Sequence, residues 1–136
     1  MAEGNIELVL RSYAAFNRSD WAAATDELQP NCVWVNDAAT AGLMASALEL
    51  RGIGEIRDWW QAWFGQWDEW RMEPGDPAEG EAGAVFIPCR FSGRGKESGV
   101  PVEVGFFQVW EFEDRLPVRI TNIRTREDAL AAAGLV

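Results

Sequence analysis

The chain has 136 residues, a formal charge of −10 and an apolar fraction of 48%, a composition typical of one globular domain with one hydrophobic core. Because nucleic-acid binding relies on clustered lysine and arginine, the acidic balance argues against an RNA or DNA partner. No apolar run approaches the ~20 residues of a membrane-spanning helix, and the N-terminus lacks the pattern of a secretory signal. We therefore expect a single cytoplasmic domain over residues 1–136, with no membrane partner.

The first helices are predicted by apolar residues at helical spacing over residues 5–18, where Asn5 is a candidate N-cap. Asp20 offers a second cap, for a shorter helix over residues 21–28. Pro30 ends this helix, because the residue before a proline is pushed out of the helical region. We expect the two helices to form an antiparallel hairpin.

A short strand and a long helix are predicted next. Residues 32–35 are β-prone. The connection over residues 38–50 shows no clean period, so it is either a flap over a cavity or part of an oligomer contact. From Gly52 the apolar positions of one helical face continue to Trp67, although Gly65 weakens the end of this helix.

The C-terminal half predicts an antiparallel sheet. Apolar and polar residues alternate over residues 85–92, 102–110 and 118–124. A capping box at Thr125 predicts a short final helix through Ala133. Helices on one side of a curved antiparallel sheet make an α+β domain, and the concavity of such a sheet is a natural small-molecule site.

The absence of histidine and the spacing of the two cysteines limit the chemistry. Cys32 and Cys89 lie far apart, outside any metal-ligand pattern, so neither structural zinc nor a Cys–His nucleophile is expected. Both fall in apolar strand-like runs, where a free thiol usually acts as a small buried hydrophobe. We expect no metal and no cofactor.

Three strings resemble a known family: CVWVND at residues 32–37, RGIGEI at 51–56 and FQVWEF at 107–112. Together with the order of elements, they resemble the SnoaL-like branch of the NTF2-like superfamily, which also contains ketosteroid isomerases and limonene epoxide hydrolases. The resemblance covers nearly the whole chain. It implies an NTF2-like cone, in which a helical hairpin and a long helix pack in a curved antiparallel sheet around an apolar pocket.

The resemblance points to the end of the first strand for catalysis. Ketosteroid isomerase-like members keep a general-base aspartate at the position that matches Asn36, and an amide cannot take a proton. Isomerase chemistry would therefore need Asp37 as the base, by a one-residue shift that reverses its strand face. Tyr13 lies near the family's tyrosine oxyanion donor, and Asn36 or Gln108 would help it to steady an enolate oxygen.

Epoxide hydrolysis is not expected from the same resemblance. Limonene epoxide hydrolases pair an aromatic hydroxyl and an asparagine with an Asp-Arg-Asp set, and Trp34 and Asn36 fill the first pair here. Asn122 stands where one of the acids would be, so the water-activating step should be absent or badly impaired.

Buried amides are candidate ligand-binding groups. Asn36, Gln108 and Asn122 are set among apolar neighbours on their strands, so they either face a ligand or pair with one another as a structural network. Arg90 stands opposite the apolar face of its strand. It either enters the cavity beside an acid or lies on the solvent face.

Tryptophans are the other candidates, since each offers a flat face and an N–H. Trp34 and Trp110 are placed to stack against a cyclic ligand, and Trp60 and Trp63 either line the same region or belong to the core. Trp59 falls off the main helical stripe, which favours a homodimer surface.

Two functions remain open at this point. The first is a cofactor-independent isomerase or cyclase acting on a hydrophobic cyclic substrate of the polyketide or terpenoid kind. The second is a non-catalytic domain that binds a hydrophobic ligand, with a purely oligomerising role as a weaker third. An acid with a pKa shifted by burial in the pocket would separate the first two.

Overall fold

A computed structural model describes residues 4–44 and 48–135. Its order of elements confirms the expected α+β class. No helix among these residues is long and apolar enough to cross a membrane. The helices and strands are α1 (Asn5–Asn17), α2 (Trp21–Asp26), β1 (Val33–Asn36), α3 (Ala38–Met44), β2 (Glu49–Arg51), α4 (Ile53–Phe64), β3 (Trp67–Pro74), β4 (Ala78–Glu79), β5 (Val85–Gly95), β6 (Pro101–Glu113), β7 (Leu116–Ile123) and α5 (Arg126–Ala132).

The sheet has the order β2-β1-β7-β6-β5-β3, with β4 paired to β5. Every pair is antiparallel except β1 with β7, which run parallel in register, Asn36 opposite Asn122. The chain can make this parallel pair because two helices, α3 and α4, and five strands, β2 to β6, separate β1 from β7. The sheet is therefore mixed at one pair rather than antiparallel throughout.

Two hydrophobic cores lie on opposite faces of the sheet. On the concave face, α1 and α4 bury residues such as Val9, Phe16 and Ile56 against the inward side chains of the strands. On the other face, α5 packs Ala129 over Phe86 and the outward residues of β6 and β7. The alternation predicted along β5 and β6 is what divides their side chains between these cores.

The ends of two elements differ from expectation. Gly4 rather than Asn5 is the N-cap of α1, and the Asn5 side chain instead donates to the Gly83 carbonyl at 2.9 Å. The long helix stops at Phe64, and Trp67, which continues its apolar face in sequence, begins β3. Helical spacing alone could not separate the last turn of a helix from an aromatic strand that follows it directly.

The connection over residues 38–50 contains two elements that lacked a clear period. Asp37 precedes α3, and β2 pairs antiparallel with β1, with Leu50 opposite Trp34. Residues 45–47 lie outside the described residues. Whether this connection acts as a flap or as an oligomer contact stays a prediction.

The edge strand β3 is fastened to α1 through Asn17. Its side-chain amide donates to the Met72 carbonyl at 2.8 Å, and its oxygen accepts from the Met72 N–H at 2.8 Å. This pairing satisfies both backbone groups of a buried residue. It holds the Met72 side chain against the concave core.

Candidate functional site

A small cavity lies between the helices and the concave face of the sheet. Its volume is about 20 Å³, which is room for about one water molecule. Aromatic side chains therefore fill most of the space that the curved sheet encloses. The lining residues are Ser12, Tyr13, Phe16, Ala24, Trp34, Trp60, Met72, Gln108 and Trp110.

The repeat of side-chain directions along strands and helices explains why these side chains meet at the cavity. Gln108 and Trp110 are two positions apart on β6, so they share the concave face of the sheet. Tyr13 and Phe16 are three positions apart on α1 and lie on the helix face that packs over that strand. The cavity is therefore built from regular elements rather than loops.

A chain of hydrogen bonds runs from α1 through the sheet. The Tyr13 hydroxyl donates to Gln108 Oε1 at 2.5 Å, and Trp110 Nε1 donates to the same oxygen at 3.0 Å. Gln108 Nε2 donates to Asn122 Oδ1 at 2.9 Å, and Asn122 Nδ2 donates to the Val35 carbonyl at 3.3 Å. Since Gln108 Oε1 already accepts two bonds, both of its lone pairs are used. Gln108 and Asn122 thus pair as a structural network.

Three other polar groups of the lining residues make no hydrogen bond within the described part of the chain. They are Ser12 Oγ, Trp34 Nε1 and Trp60 Nε1. The three residues are only 6%, 5% and 2% exposed, so bulk water does not compensate for the missing bonds. Leaving a buried polar group unsatisfied costs about 1–3 kcal/mol. These three groups give the cavity unused hydrogen-bonding capacity, and other such groups, Trp67 Nε1 among them, lie elsewhere in the described part of the chain.

The titratable groups closest to the cavity are neutral at ordinary pH. Burial raises the pKa of Tyr13 well above its usual value, with a further contribution from the neighbouring Cys89. Burial also raises the pKa of the Cys89 and Cys32 thiols to about 12. Within residues 4–44 and 48–135, no acidic or basic residue lines the cavity and no cluster is suited to a metal ion.

Asp37 has a structural position at the start of α3. Its Oδ1 accepts from the Thr40 N–H at 2.8 Å, as an N-cap does, and its Oδ2 accepts from the Arg124 N–H at 3.0 Å. Burial favours a raised pKa for Asp37, but the hydrogen bonds from Thr40 and Arg124 and the Arg124 charge outweigh it, so the pKa is lowered. The structure does not bring this carboxylate to the cavity lining.

Three further candidates lie away from the lining residues. Asn36 is buried opposite Asn122 in the sheet. Trp63 is half-buried and stacks on Trp59, with ring centroids 5.7 Å apart. Arg90 lies on the outer face of the sheet, where it donates to Glu103 at 2.7 Å and borders a surface groove of about 530 Å³.

Four lining residues were not singled out from the sequence. Ser12 and Phe16 share the inner face of α1 with Tyr13, and that helical period was the available signal. Ala24 comes from α2, whose small residues gave no sign of a pocket. Met72 belongs to β3, a strand that the sequence pattern did not predict.

The comparisons with known proteins agree with this fold. The sequence profile of the SnoaL-like domain matches residues 9–120. An NTF2-like protein from Burkholderia thailandensis is 24% identical with a TM-score of 0.76, and the alignment covers 97% of this chain and 98% of that one. No curated protein matches the chain.

Two similar structures hold small molecules. A hypothetical protein with a ketosteroid isomerase-like fold from Catenulispora acidiphila, in complex with trimethylamine, is 15% identical with a TM-score of 0.73, covering 96% of this chain and 94% of that one. TerC, co-crystallised with polyporic acid, is 21% identical with a TM-score of 0.74, covering 95% and 96%. Identities this low establish the shared fold alone.

Replacing Gln108 by leucine should destabilise the protein by about 2–4 kcal/mol, because it leaves Tyr13, Trp110 and Asn122 without their buried partner. Urea denaturation measures the change. The exposed Gln61, changed to leucine in the same way, should alter the free energy of unfolding by less than about 0.5 kcal/mol. Equal effects of the two substitutions would contradict the network.

Replacing Asp37 by alanine should cost about 1 kcal/mol of stability at neutral pH through the lost helix cap. Since folding lowers the pKa of Asp37, this stabilisation is present above the unfolded pKa, about 3.9, and is lost as pH falls through the folded value. Unfolding measured from pH 3 to 8 should therefore show the two proteins converging in acid. The exposed Asp76, changed to alanine, is the control, and a pH-independent gap for Asp37→Ala would refute the assignment.

Proposed function

Because this chain belongs to the family of SnoaL-like domains, we propose that it binds a small, uncharged and largely apolar molecule in the cavity between its helices and its sheet. The cavity lies on the concave side of the sheet, where ligand sites of concave α+β folds are usually found. The proposal concerns binding, and catalysis is a separate hypothesis.

One observation carries the proposal. The cavity is lined by apolar and aromatic side chains together with three buried polar groups that no described residue satisfies. A sealed core normally pairs such groups or replaces them by apolar ones. Apolar walls with a few polar groups are the composition of a small-molecule site.

The isomerase or cyclase hypothesis finds less support. Such an enzyme needs a group within hydrogen-bond reach that takes or gives a proton near neutral pH. The described residues of the lining include no acid, and the Asp37 carboxylate accepts hydrogen bonds from Thr40 and Arg124 and has a lowered pKa. Burial keeps Tyr13 neutral, and its hydroxyl already donates a hydrogen bond to Gln108. These observations favour binding over acid–base catalysis.

The size of the cavity limits how a ligand enters. A volume of about 20 Å³ does not hold a ring compound, so a side chain of the lining has to move. Met72 is the most adaptable of these side chains, because its unbranched thioether has three rotatable bonds. Opening would cost free energy and so weaken the apparent affinity in proportion to the population of the open state.

A homodimer and a cytoplasmic location also remain proposals. The half-buried stack of Trp59 and Trp63 on α4 supports the first, since partly exposed aromatic side chains are enriched at interfaces. The acidic composition, −10 in total, is compatible with either a monomer or a dimer.

Filling the cavity should abolish binding. Thermal unfolding with panels of cyclic ketones, terpenes, steroids and aromatic polyketides should give at least one compound that stabilises the protein, by about 2.7 kcal/mol at 100 times its dissociation constant. Ala24→Val places two methyl groups in the cavity and should remove that stabilisation. Ala129→Val, at a fully buried alanine of the other core, should retain it.

Two results would contradict the proposal. One is a panel in which no compound shifts the unfolding transition of the parent protein. The other is a compound whose stabilising effect survives Ala24→Val unchanged, since that compound would bind elsewhere.

A further inference from the structure

We propose that the ligand carries an oxygen atom that accepts hydrogen bonds from Trp34 Nε1 and Trp60 Nε1. The ligand is thus an uncharged carbonyl or ether compound with an apolar body. This inference rests on the proposed binding function and names the chemistry that the same cavity recognises.

The two unbonded indole groups determine which kind of hydrogen bond a ligand can make in the cavity. An indole N–H only donates, so Trp34 and Trp60 both require an acceptor. Their rings meet edge to face, with centroids 5.4 Å apart and planes at 81°. Two donors on adjoining rings suit an oxygen, which has two lone pairs, better than any donor group of a ligand.

Neither indole N–H finds an acceptor among the described residues. Gln108 Oε1 already accepts from Tyr13 and Trp110. Its two lone pairs are used, so turning an indole towards it would displace an existing bond. The Ser12 hydroxyl, a free oxygen of the lining, makes no hydrogen bond to either indole. A ligand oxygen in the cavity can supply the acceptor that neither indole finds in the described residues.

The described residues that line the cavity carry no charge. No lysine or arginine is among these described residues, and burying a carboxylate without a cation costs several kcal/mol. An ammonium compound would find no carboxylate there either, and the indole N–H groups would oppose it. A neutral oxygen is the acceptor that this lining accommodates at least cost.

The rest of the ligand has to fit an apolar space. Phe16, Ala24 and Trp110 form apolar walls, and Met72 closes the side towards β3. The backbone of Met72 is fixed by Asn17, so it is the side chain that has to yield. A body of about one ring would fit when it does so, and shortening Met72 should relax that limit.

The test compares cyclohexanone with methylenecyclohexane, which has nearly the same shape and no oxygen. Calorimetric titration of the parent protein and of Met72→Ala should give at least about tenfold tighter binding of the ketone, since two neutral hydrogen bonds are at stake. In ¹⁵N-labelled protein, which has eight tryptophans, the ketone should move the indole N–H signals of Trp34 and Trp60. The signal of Trp59 should stay in place.

A matched pair of variants separates hydrogen bonding from general damage. Trp60→Phe removes one donor and Trp59→Phe removes the neighbouring indole outside the lining. The ratio of ketone to hydrocarbon affinity should fall about threefold or more in Trp60→Phe and stay constant in Trp59→Phe. Because the ratio compares two ligands on one protein, a loss of stability common to both cancels.

The outcomes distinguish the two proposals. Equal affinity for the two compounds, or indole shifts that leave both Trp34 and Trp60 in place, would overturn the inference and leave binding in the cavity intact. Binding of cyclohexanecarboxylate as tight as that of the ketone would overturn the requirement for a neutral ligand. Failure of both ring compounds on the parent and on Met72→Ala would overturn the proposed function together with the inference.

Discussion

The hydrogen bond from Tyr13 to Gln108 is the contact on which the interior of the cone depends. It joins α1 to the middle of β6 at 2.5 Å, and through Gln108 it reaches Asn122 and the carbonyl of Val35 on β1. Amides buried in an apolar core are costly unless every group is paired. The network meets that condition, and by doing so it uses the groups that could otherwise have served chemistry.

The described lining of the cavity is uncharged and keeps hydrogen-bond donors that have no acceptor. Folds of this kind host many activities, and an activity has to be argued from the site. Here the site lacks a proton acceptor of suitable pKa, while Trp34 and Trp60 keep unbonded N–H groups. The same scaffold that could carry acid–base chemistry therefore favours recognition of a neutral oxygen compound in this chain.

Much of the fold could be predicted from sequence because its main signals are local. Helical period located α1 and α4, and alternation located β5 to β7 with Gln108 on the inner face. β3 was missed because its residues do not alternate regularly between apolar and polar, and Met72, the one buried residue of that strand, was missed with it. Because side chains alternate along a strand, the sequence predicted that Asp37 would not share the face of Asn36. The fixed position of Asp37 at the start of α3 also depends on Arg124, and no local pattern reveals that contact.

The most direct measurement of the central claim is the affinity for cyclohexanone as a function of pH. If the cavity is neutral and binds through Trp34 and Trp60, the dissociation constant should be the same within about twofold from pH 5 to pH 9, because no group of the lining changes its protonation there. An affinity that changes tenfold or more across this range, at constant stability of the protein, would reveal a titrating group in the site and contradict the account.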